Sequence, residues 1–302
     1  MFLKNLKEQS SVLISERYRF ASTFLESVKS IGFTLVDFSL LEPSENNPSK
    51  SFNYNVTNSI SGETFVLRSD FTWQISNLVS NFSPEEVNRQ IKFAYCGDVV
   101  KVSKPYKQKS RNTFCCGLEL ISHLQNDISN QFEELISLTK KLIPKTKYGS
   151  ILEIQSSLLN DIATSYQLTQ EDFRAIEIMD FNNANLKQKL PRSIIQLLKL
   201  SFNNDFDFVL NNVINPLVTQ DRTDKYLFDQ LTKSVKKNFD NITFNVSQSF
   251  LPSKYYLVSF SIFCAKTGTE IAKGGIYKID NKYSSQPLVA MGITFYVDNF
   301  VI

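Results

Sequence analysis

The stretch that most constrains the fold of this chain is a pair of strand-like runs on either side of a basic loop. Residues 92–102 (KFAYCGDVVKV) and 114–121 (FCCGLELI) are rich in aromatic and β-branched side chains, and the loop between them carries Lys and Arg. Two such runs joined by a charged loop predict an antiparallel β-hairpin. Side chains alternate between the two faces of a strand, so Cys115, Gly117 and Glu119 belong to one face of this hairpin.

Helical and strand-like patterns flank the hairpin along the whole chain. Apolar residues at helical spacing predict an amphipathic helix over residues 11–31, and Gly32 is a typical helix end. Residues 45–61 are rich in Asn, Ser and Pro, which predicts an irregular loop. Further helices are predicted at residues 72–82, 124–143, 170–179, 193–201 and 225–237. Further strands are predicted at residues 33–38, 149–154, 241–246, 255–264, 270–278 and 289–296.

Composition is typical of a globular protein of the cytoplasm. The 302 residues, 42% of them hydrophobic, suffice for one large domain, and the net charge of +3 indicates no nucleic-acid-binding surface. No apolar run is long enough to span a membrane, and the first residues lack the pattern of a secretory signal. We therefore expect a cytoplasmic protein that does not enter a membrane.

The cysteines and the single histidine argue against a metal centre. The cysteines are Cys96, Cys115, Cys116 and Cys264, and their spacing is not that of metal ligands. We expect all four to be reduced and buried. The single histidine, His123, rules out a histidine metal cluster, and we expect it to lie between a strand and a helix without a catalytic role. The sequence thus predicts no metal and no cofactor.

Three short motifs in the first half of the chain carry a family resemblance. They are residues 67–72 (LRSDFT), 95–97 (YCG) and 114–119 (FCCGLE). In this order and spacing they resemble the catalytic core of the class II enzyme histidyl-tRNA synthetase. They are still more similar to its truncated paralogue, the regulatory subunit of ATP phosphoribosyltransferase. The family patterns are Leu-Arg-Pro-acid-x-Thr, then Phe-Arg-x-Glu after Tyr-x-Gly, then Phe-x-Gln-x-Gly-x-Glu.

The resemblance returns near the end of the chain. Residues 251–258 (LPSKYYLV) and 274–278 (GGIYK) are similar to the family's Arg-Gly-Leu-x-Tyr-Tyr-Thr-Gly and Gly-Gly-Arg-Tyr-Asp motifs. Residues 39–42 (SLLE) stand where the family has the end of its first motif, Pro-x-x-Glu. Between about 158 and 240 the likeness fades into helical sequence, where the family has a variable helical insertion.

Several positions that handle ATP in the family differ in this chain. Lys101, Leu251 and Ile276 stand where the resemblance places arginines, Ser103 replaces a glutamate, and Cys115 replaces a glutamine that holds the amino acid. An arginine binds a phosphate with a planar two-pronged donor, whereas a lysine offers only a point charge. The resemblance therefore implies that this chain has no catalytic residues for adenylation.

Other positions keep the residues that hold the amino acid in the family. These are Asp70, Thr72, Glu119, Tyr256 and Tyr277. An acidic pair with tyrosines can hold an ammonium group and an imidazole by charge-assisted hydrogen bonds. The resemblance implies a histidine-binding pocket at these residues, and the alternative is that they support a packed polar core.

The resemblance implies both a fold and a function. The fold is a class II synthetase-like α+β domain over residues 1–302, in which a mostly antiparallel sheet is flanked by helices and a helical insertion spans about 158–240. The chain ends near Ile302, where the family's catalytic domain ends, so we expect no anticodon-binding domain and no binding of tRNA. The implied function is that of a non-catalytic regulatory subunit of ATP phosphoribosyltransferase. It would form a homodimer through its first helix and strand, activate the short catalytic subunit in a hetero-oligomer, and relay feedback by histidine.

Two other functions stay open at the level of the sequence. The first is a divergent class II synthetase-like ligase that adenylates an amino acid for an acceptor other than tRNA, with Lys101 and Arg111 binding the phosphate. The second is a binding module unrelated to histidine synthesis. Amino-acid-dependent pyrophosphate exchange would identify the ligase, and a neighbouring gene for a short phosphoribosyltransferase would favour the regulatory subunit.

Overall fold

The computed structural model describes residues 11–43, 54–100, 112–123, 128–143, 149–156, 165–200, 205–214, 222–244, 256–284 and 287–300. The helices are α1 (Ser11–Ser30), α2 (Thr72–Val79), α3 (Pro84–Val87), α4 (Ile128–Leu142), α5 (Gln170–Glu177), α6 (Ala184–Lys189), α7 (Arg192–Leu200), α8 (Phe206–Val209) and α9 (Arg222–Asn238). A π-helical turn (Leu210–Ile214) follows α8, and a 3₁₀ turn (Val297–Asn299) follows the last strand. The strands are β1 (Thr34–Leu35), β2 (Leu41–Pro43), β3 (Asn55–Thr57), β4 (Thr64–Leu67), β5 (Ile91–Val100), β6 (Asn112–His123), β7 (Ser150–Ser156), β8 (Ile242–Phe244), β9 (Tyr256–Cys264), β10 (Glu270–Ile279) and β11 (Leu288–Tyr296).

The chain divides into two compact units. Unit 1 comprises Met1–His123 and Ile279–Ile302, and unit 2 comprises Leu124–Lys278. Among the helices of the described ranges, none is long and apolar enough to cross a membrane.

Unit 1 is built on the predicted hairpin, which the structure confirms. Strands β5 and β6 pair antiparallel from Ile91 opposite Ile121 to Val100 opposite Asn112. Strand β1 adds parallel to β5, and β11 adds antiparallel to β6. The short strands β2, β4 and β3 form a separate antiparallel sheet in that order.

Helix α1 packs through an aromatic cluster. The rings of Phe20 and Phe24 lie 5.8 and 6.1 Å from the ring of Phe295 on β11. The predicted end of the helix is confirmed, since Gly32 follows it with a φ of +83°, a conformation that favours glycine. Within the helix, the side chain of Arg17 forms a bidentate ion pair with Asp298, at 2.7 and 2.9 Å, which fixes α1 to the turn after β11.

Unit 2 combines four strands with the helices α4 to α9. Strands β10 and β9 pair antiparallel, β9 pairs antiparallel with β7, and β7 pairs parallel with β8. The predicted turn between β9 and β10 is confirmed, with Gly268 at a φ of +65°. Helices α5 to α9 lie within or next to the range 158–240, in agreement with the helical pattern of the sequence there.

Several features of the structure differ from the sequence-based expectations. The strand expected at 33–38 has only two residues in β1, and strand β3 lies inside the range expected to be a loop. All three residues of β3 are exposed, so no buried alternation marks it in the sequence. Cys96 is half-buried rather than buried, whereas the other three cysteines are buried as expected.

Candidate functional site

Two large polar side chains of unit 1 lie over glycines of the neighbouring strand. Tyr95 on β5 stands opposite Gly117 on β6, and Glu119 on β6 stands opposite Gly292 on β11. A Cβ atom added at Gly117 would lie 2.2 Å from Tyr95 Oη, and one added at Gly292 would lie 2.0 Å from Glu119 Oε2. Both glycines are therefore needed to make room for the side chain across the strand.

The carboxylate of Glu119 is held in the interior by a threonine. Glu119 is 1% exposed, and Thr72 Oγ1 donates a hydrogen bond of 2.8 Å to its Oε1. Thr72 is the first residue of α2, so the start of this helix meets the middle of β6. A buried carboxylate is costly without donors, and the threonine supplies one of them. Two of the five residues that the resemblance singles out, Thr72 and Glu119, are thus in direct contact.

Tyr95 forms the centre of this cluster. Its ring stacks on Phe71 at a centroid distance of 4.2 Å and an interplanar angle of 15°. Its hydroxyl group lies 2.7 Å from Thr294 Oγ1 on β11. Burial raises the pKa of Tyr95 well above its ordinary value, and the negative charge of Glu119 raises this pKa further. The phenol is therefore held in its neutral form, which can donate or accept a hydrogen bond.

Arg68 lies on the other side of Phe71 and has a structural role. Its guanidinium carbon lies 3.9 Å above the ring of Phe71. Its nitrogens donate to the carbonyl of Asp98 at 2.8 and 3.1 Å and to that of Phe38 at 2.7 Å. Burial lowers the pKa of Arg68, and neighbouring carboxylates, Asp37 first among them, oppose that effect. The guanidinium thus ties the segment after β4 to the end of β5.

Asp70 lies at the edge of the same cluster. It is exposed, and its Oδ1 accepts a hydrogen bond of 2.9 Å from the backbone N–H of Trp73 in the first turn of α2. A carboxylate at this end of a helix is stabilised by the free N–H groups there. Its charge contributes to the raised pKa of Tyr95, so Asp70 and Glu119 both act on that phenol.

Cys115 occupies the position at which the resemblance expects a glutamine. It is fully buried, stands opposite Gly97 on β5, and its Sγ lies 3.6 Å from the carbonyl oxygen of Thr113. A thiol is a weak donor and supplies none of the hydrogen bonds of an amide. The structure thus places an apolar, buried group on the face that also carries Glu119.

The remaining predicted positions belong to unit 2 or lie outside the described residues. Ile276 is 0% exposed and Tyr277 is buried, both on β10. Tyr256 stands opposite Tyr277 on β9, but its side chain is outside the described part. Lys101 and Leu251 lie outside the described residues, as do Ser103 and Arg111. Within the described ranges, no three side chains of the metal-ligating types lie close enough to hold a metal ion.

The cluster also contains residues that the sequence reasoning did not single out as site residues. They are Arg68, Phe71, Tyr95, Gly292 and Thr294. One signal in the sequence could have found Tyr95, because a glycine inside a predicted strand often marks the close approach of another group. The register that joins Tyr95 to Gly117 was needed to use that signal.

Comparison with known proteins identifies the family and the fold. The family model for histidyl-tRNA synthetase matches residues 13–300 of the chain. The comparison with curated proteins finds no match.

Three solved structures have the same fold. The ATP phosphoribosyltransferase regulatory subunit/histidyl-tRNA synthetase from Bacillus halodurans C is 17% identical at a TM-score of 0.75, covering 98% of this chain and 81% of that chain. The ATP phosphoribosyl transferase (HisG:HisZ) complex from Thermotoga maritima is 16% identical at a TM-score of 0.64, covering 93% and 97%. The histidine–tRNA ligase subunit from Alicyclobacillus acidocaldarius is 16% identical at a TM-score of 0.69, covering 98% and 94%.

These likenesses confirm the predicted class II synthetase-like fold. Since the family model extends over nearly the whole sequence, the chain belongs to the histidyl-tRNA synthetase family.

Proposed function

We propose that this chain is a non-catalytic regulatory subunit of ATP phosphoribosyltransferase. The observation that carries the proposal is Ile276, a fully buried aliphatic residue at the position where the resemblance places an arginine for ATP. A preorganised cation at the developing charge is usually the largest single contribution to such a reaction. An isoleucine side chain supplies no hydrogen-bond donor and no charge, so it cannot stabilise the negative charge that develops during adenylation.

The names of the similar structures point in the same direction. One is named as a regulatory subunit of ATP phosphoribosyltransferase, and another is a complex of that enzyme. In this role the chain binds the short catalytic subunit in the cytoplasm and activates it for the first step of histidine biosynthesis. Feedback follows if histidine binds the active and inactive states of the complex with different affinity.

Histidine is the proposed ligand of the residues around Thr72 and Glu119. The carboxylate of Glu119 is buried next to a threonine hydroxyl and a neutral tyrosine. A ligand ammonium or imidazolium group would form charge-assisted hydrogen bonds with it, at roughly 1.5–3 kcal/mol each. Tyr256 and Tyr277 are further proposed histidine-binding residues, and their role rests on the family resemblance alone.

A homodimer through α1 and β1 is the proposed form of the subunit. Three apolar side chains in this region are exposed to solvent, Val12 at 59%, Tyr18 at 69% and Leu35 at 50%. Burial of such side chains against a second copy removes apolar area from water. Light scattering should therefore find a dimer that Tyr18→Asp weakens, whereas Ile60→Asp, at a fully exposed position of the same unit, leaves it intact.

Reconstitution with a short ATP phosphoribosyltransferase subunit tests the proposed function. We expect the mixture to form a stable complex by size exclusion and to have higher transferase activity than the catalytic subunit alone. Histidine should lower that activity. No complex and no gain in activity would contradict the proposal.

The ligase alternative is tested on the same preparation. Histidine-dependent exchange of pyrophosphate into ATP should be absent, because the phosphate-binding arginine is missing at Ile276. Exchange that disappears in Lys101→Ala would establish the ligase in place of the regulatory subunit. Thr72→Val is a second variant, because it removes the hydroxyl that contacts Glu119. Under either function we expect it to weaken the binding of the amino acid without altering the residues proposed to bind phosphate.

A further inference from the structure

Two cysteine thiols face each other across the central hairpin of unit 1. Cys96 on β5 and Cys116 on β6 are directly opposed residues, and their Sγ atoms lie 3.0 Å apart. Both are free thiols. The adjacent Cys115 is opposite Gly97 instead and belongs to the other face of the hairpin. Neither thiol belongs to the cluster around Glu119, so the function proposed above makes no use of them.

The two thiols differ in their access to solvent. Cys96 is half-buried, whereas Cys116 is fully buried next to β11, opposite Phe295. The hydrogen bond with Cys96, together with burial, raises the pKa of Cys116 far above its ordinary value. Cys116 is therefore a protonated thiol that small reagents reach poorly. A reagent from solvent meets Cys96 first.

We propose that Cys96 and Cys116 form an oxidation site, at which a peroxide converts the two thiols into a reversible cross-strand disulfide. In the first step the sulfur of Cys96 attacks one oxygen of hydrogen peroxide; an S–O bond forms, the O–O and S–H bonds break, and the released hydroxide leaves as water with the thiol proton of Cys96. The product is a sulfenic acid at Cys96. In the second step the sulfur of Cys116 attacks that sulfur, the S–S bond forms, the S–O bond breaks, and a second water leaves with the proton of Cys116.

The backbone already has the separation that a disulfide requires. Directly opposed residues of an antiparallel pair have Cα atoms about 4.5–5.5 Å apart, within the range of about 4.4–6.8 Å found for disulfides. The strands therefore need not separate for the bond to form. The new bond would join β5 to β6 and enclose residues 97–115. Gly97 and the buried Cys115, which lie opposite each other, are among these residues.

Oxidation also affects the packing of α1. Cys116 is the neighbour of Phe295 across β6 and β11, and the ring of Phe295 packs against Phe24 of α1 at 6.1 Å. A covalent bond that draws the two sulfur atoms closer changes the space beneath this helix. The proposed dimer interface includes the same helix. The surface around α1 would therefore differ between the reduced and the oxidised protein.

The experiment treats the full-length protein with hydrogen peroxide and counts its thiols after denaturation. We expect the reduced protein to show all four thiols of the sequence. The oxidised protein should show two, with a mass lower by two hydrogen atoms that dithiothreitol restores. Tandem mass spectrometry of the non-reduced digest should assign the cross-link to Cys96 and Cys116.

Variants of the neighbouring cysteines make the test selective. Cys96→Ser and Cys116→Ala should each abolish the cross-link, whereas Cys115→Ala and Cys264→Ser should retain it. A cross-link to Cys115, or oxidation of Cys96 to sulfinic acid without a disulfide, would overturn the proposal. The assignment in the unmodified protein decides the matter even if the Cys116 variant fails to fold.

Discussion

Two hairpins of this protein carry sequence motifs that resemble those of one family, but they bury different kinds of side chain at the motif positions. In unit 1, β5 and β6 bury the polar side chains of Tyr95 and Glu119, each beside a hydrogen-bonding partner. In unit 2, β9 and β10 bury the aliphatic Ile276 where the resemblance places a cation. On the family resemblance, the first hairpin keeps groups that suit an amino acid, and the second lacks a group that suits a phosphate.

This difference is informative because neutral drift would affect both hairpins alike. A buried glutamate costs free energy unless it is hydrogen-bonded, so its retention needs a reason in packing or in binding. An isoleucine in a strand interior needs none, since it is among the residues most often buried. The predictions below separate a packing role of the first hairpin from a binding role, and test whether the second hairpin tolerates a cation.

The largest effect is expected from restoring the family arginine in β10. Ile276→Arg places a charge at a position that is 0% exposed, and an uncompensated buried charge costs about 3–5 kcal/mol. We expect the free energy of unfolding to fall by about that amount, as measured by urea denaturation, with no gain of pyrophosphate exchange.

Ile276→Val is the matched control for this variant. Removal of one methyl group from a packed strand typically costs about 0.5–1.5 kcal/mol. If Ile276→Arg were as stable as this control, the strand would be open to a cation, and the proposed contrast between the two hairpins would be wrong.

The next largest effect is expected at the glycine beneath Tyr95. In Gly117→Ala the new methyl group would lie 2.2 Å from Tyr95 Oη and Cζ. The ring must then move away from Phe71 and Thr294, and overpacking of this kind costs about 1–3 kcal/mol. Urea denaturation should show a loss of stability in that range.

A double-mutant cycle isolates the cause of this loss. In the background of Tyr95→Ala the clash is gone, so Gly117→Ala should then cost little, and the two substitutions should be strongly non-additive. Additive effects would mean that the glycine is needed for its backbone conformation rather than for the space it leaves.

The sequence predicts the hairpin but not the contacts made across it. Alternating apolar residues on both sides of a charged loop are a local pattern, and the structure confirms β5 and β6 from it. The pairing of Tyr95 with Gly117 depends on the register of two strands, which the loop sequence does not specify. The exposed residues of β3 were missed for a related reason, because that strand is defined by its pairing with β4 and not by burial.

The contact between Thr72 and Glu119 could be anticipated only from the family resemblance. The two residues are 47 positions apart, and no periodicity connects them. The roles of Arg68 and Phe71 follow from a stack in which the ring of Phe71 packs against both the guanidinium of Arg68 and the ring of Tyr95, and this stack also needs tertiary structure. Composition and periodicity therefore give the elements of the fold, and the cluster depends on how α2 and three strands come together.

A third prediction concerns the binding of histidine. Glu119→Gln keeps the shape of the side chain but removes its charge, and a hydrogen bond to a charged group contributes about 1.5–3 kcal/mol. We expect the affinity for histidine to fall by roughly ten- to a hundredfold in isothermal titration calorimetry. Cys115 is a buried thiol at the position where the resemblance expects a glutamine amide. The affinity of the unmodified protein for histidine should therefore itself be modest.

Glu85→Gln in the first turn of α3 is the control, because this carboxylate is exposed and lies outside the cluster. It should leave histidine affinity unchanged. Equal binding by Glu119→Gln and the unmodified protein would assign the cluster a packing role and place the histidine site elsewhere, most simply at the contact with the catalytic subunit.

The smallest effects concern pH, and they also differ between the units. In unit 2, burial tends to raise the pKa of Asp172, but hydrogen bonds from Lys189 and Thr169 outweigh it, and the pKa lies below its ordinary value. A carboxylate with a depressed folded-state pKa stabilises the protein above its unfolded-state pKa of about 4, and this contribution is lost as pH falls through the folded-state value. Asp172→Asn also weakens the cap of α5, so it should lower stability at neutral pH by about 1 kcal/mol. The difference from the unmodified protein should shrink in denaturation curves below about pH 4.

In unit 1 the pKa shift has the opposite direction, so stability is lost at alkaline rather than at acidic pH. The folded-state pKa of Tyr95 is raised, chiefly by burial. Its contribution is therefore complete below the unfolded-state pKa of about 10 and is lost as pH rises above that value. Tyr95→Phe removes the titrating group while it keeps the ring on Phe71, so we expect the variant to lose less stability between neutral and alkaline pH than the unmodified protein. An identical alkaline loss in both proteins would show that folding does not raise the pKa of Tyr95, and the alkaline loss would then arise from other groups.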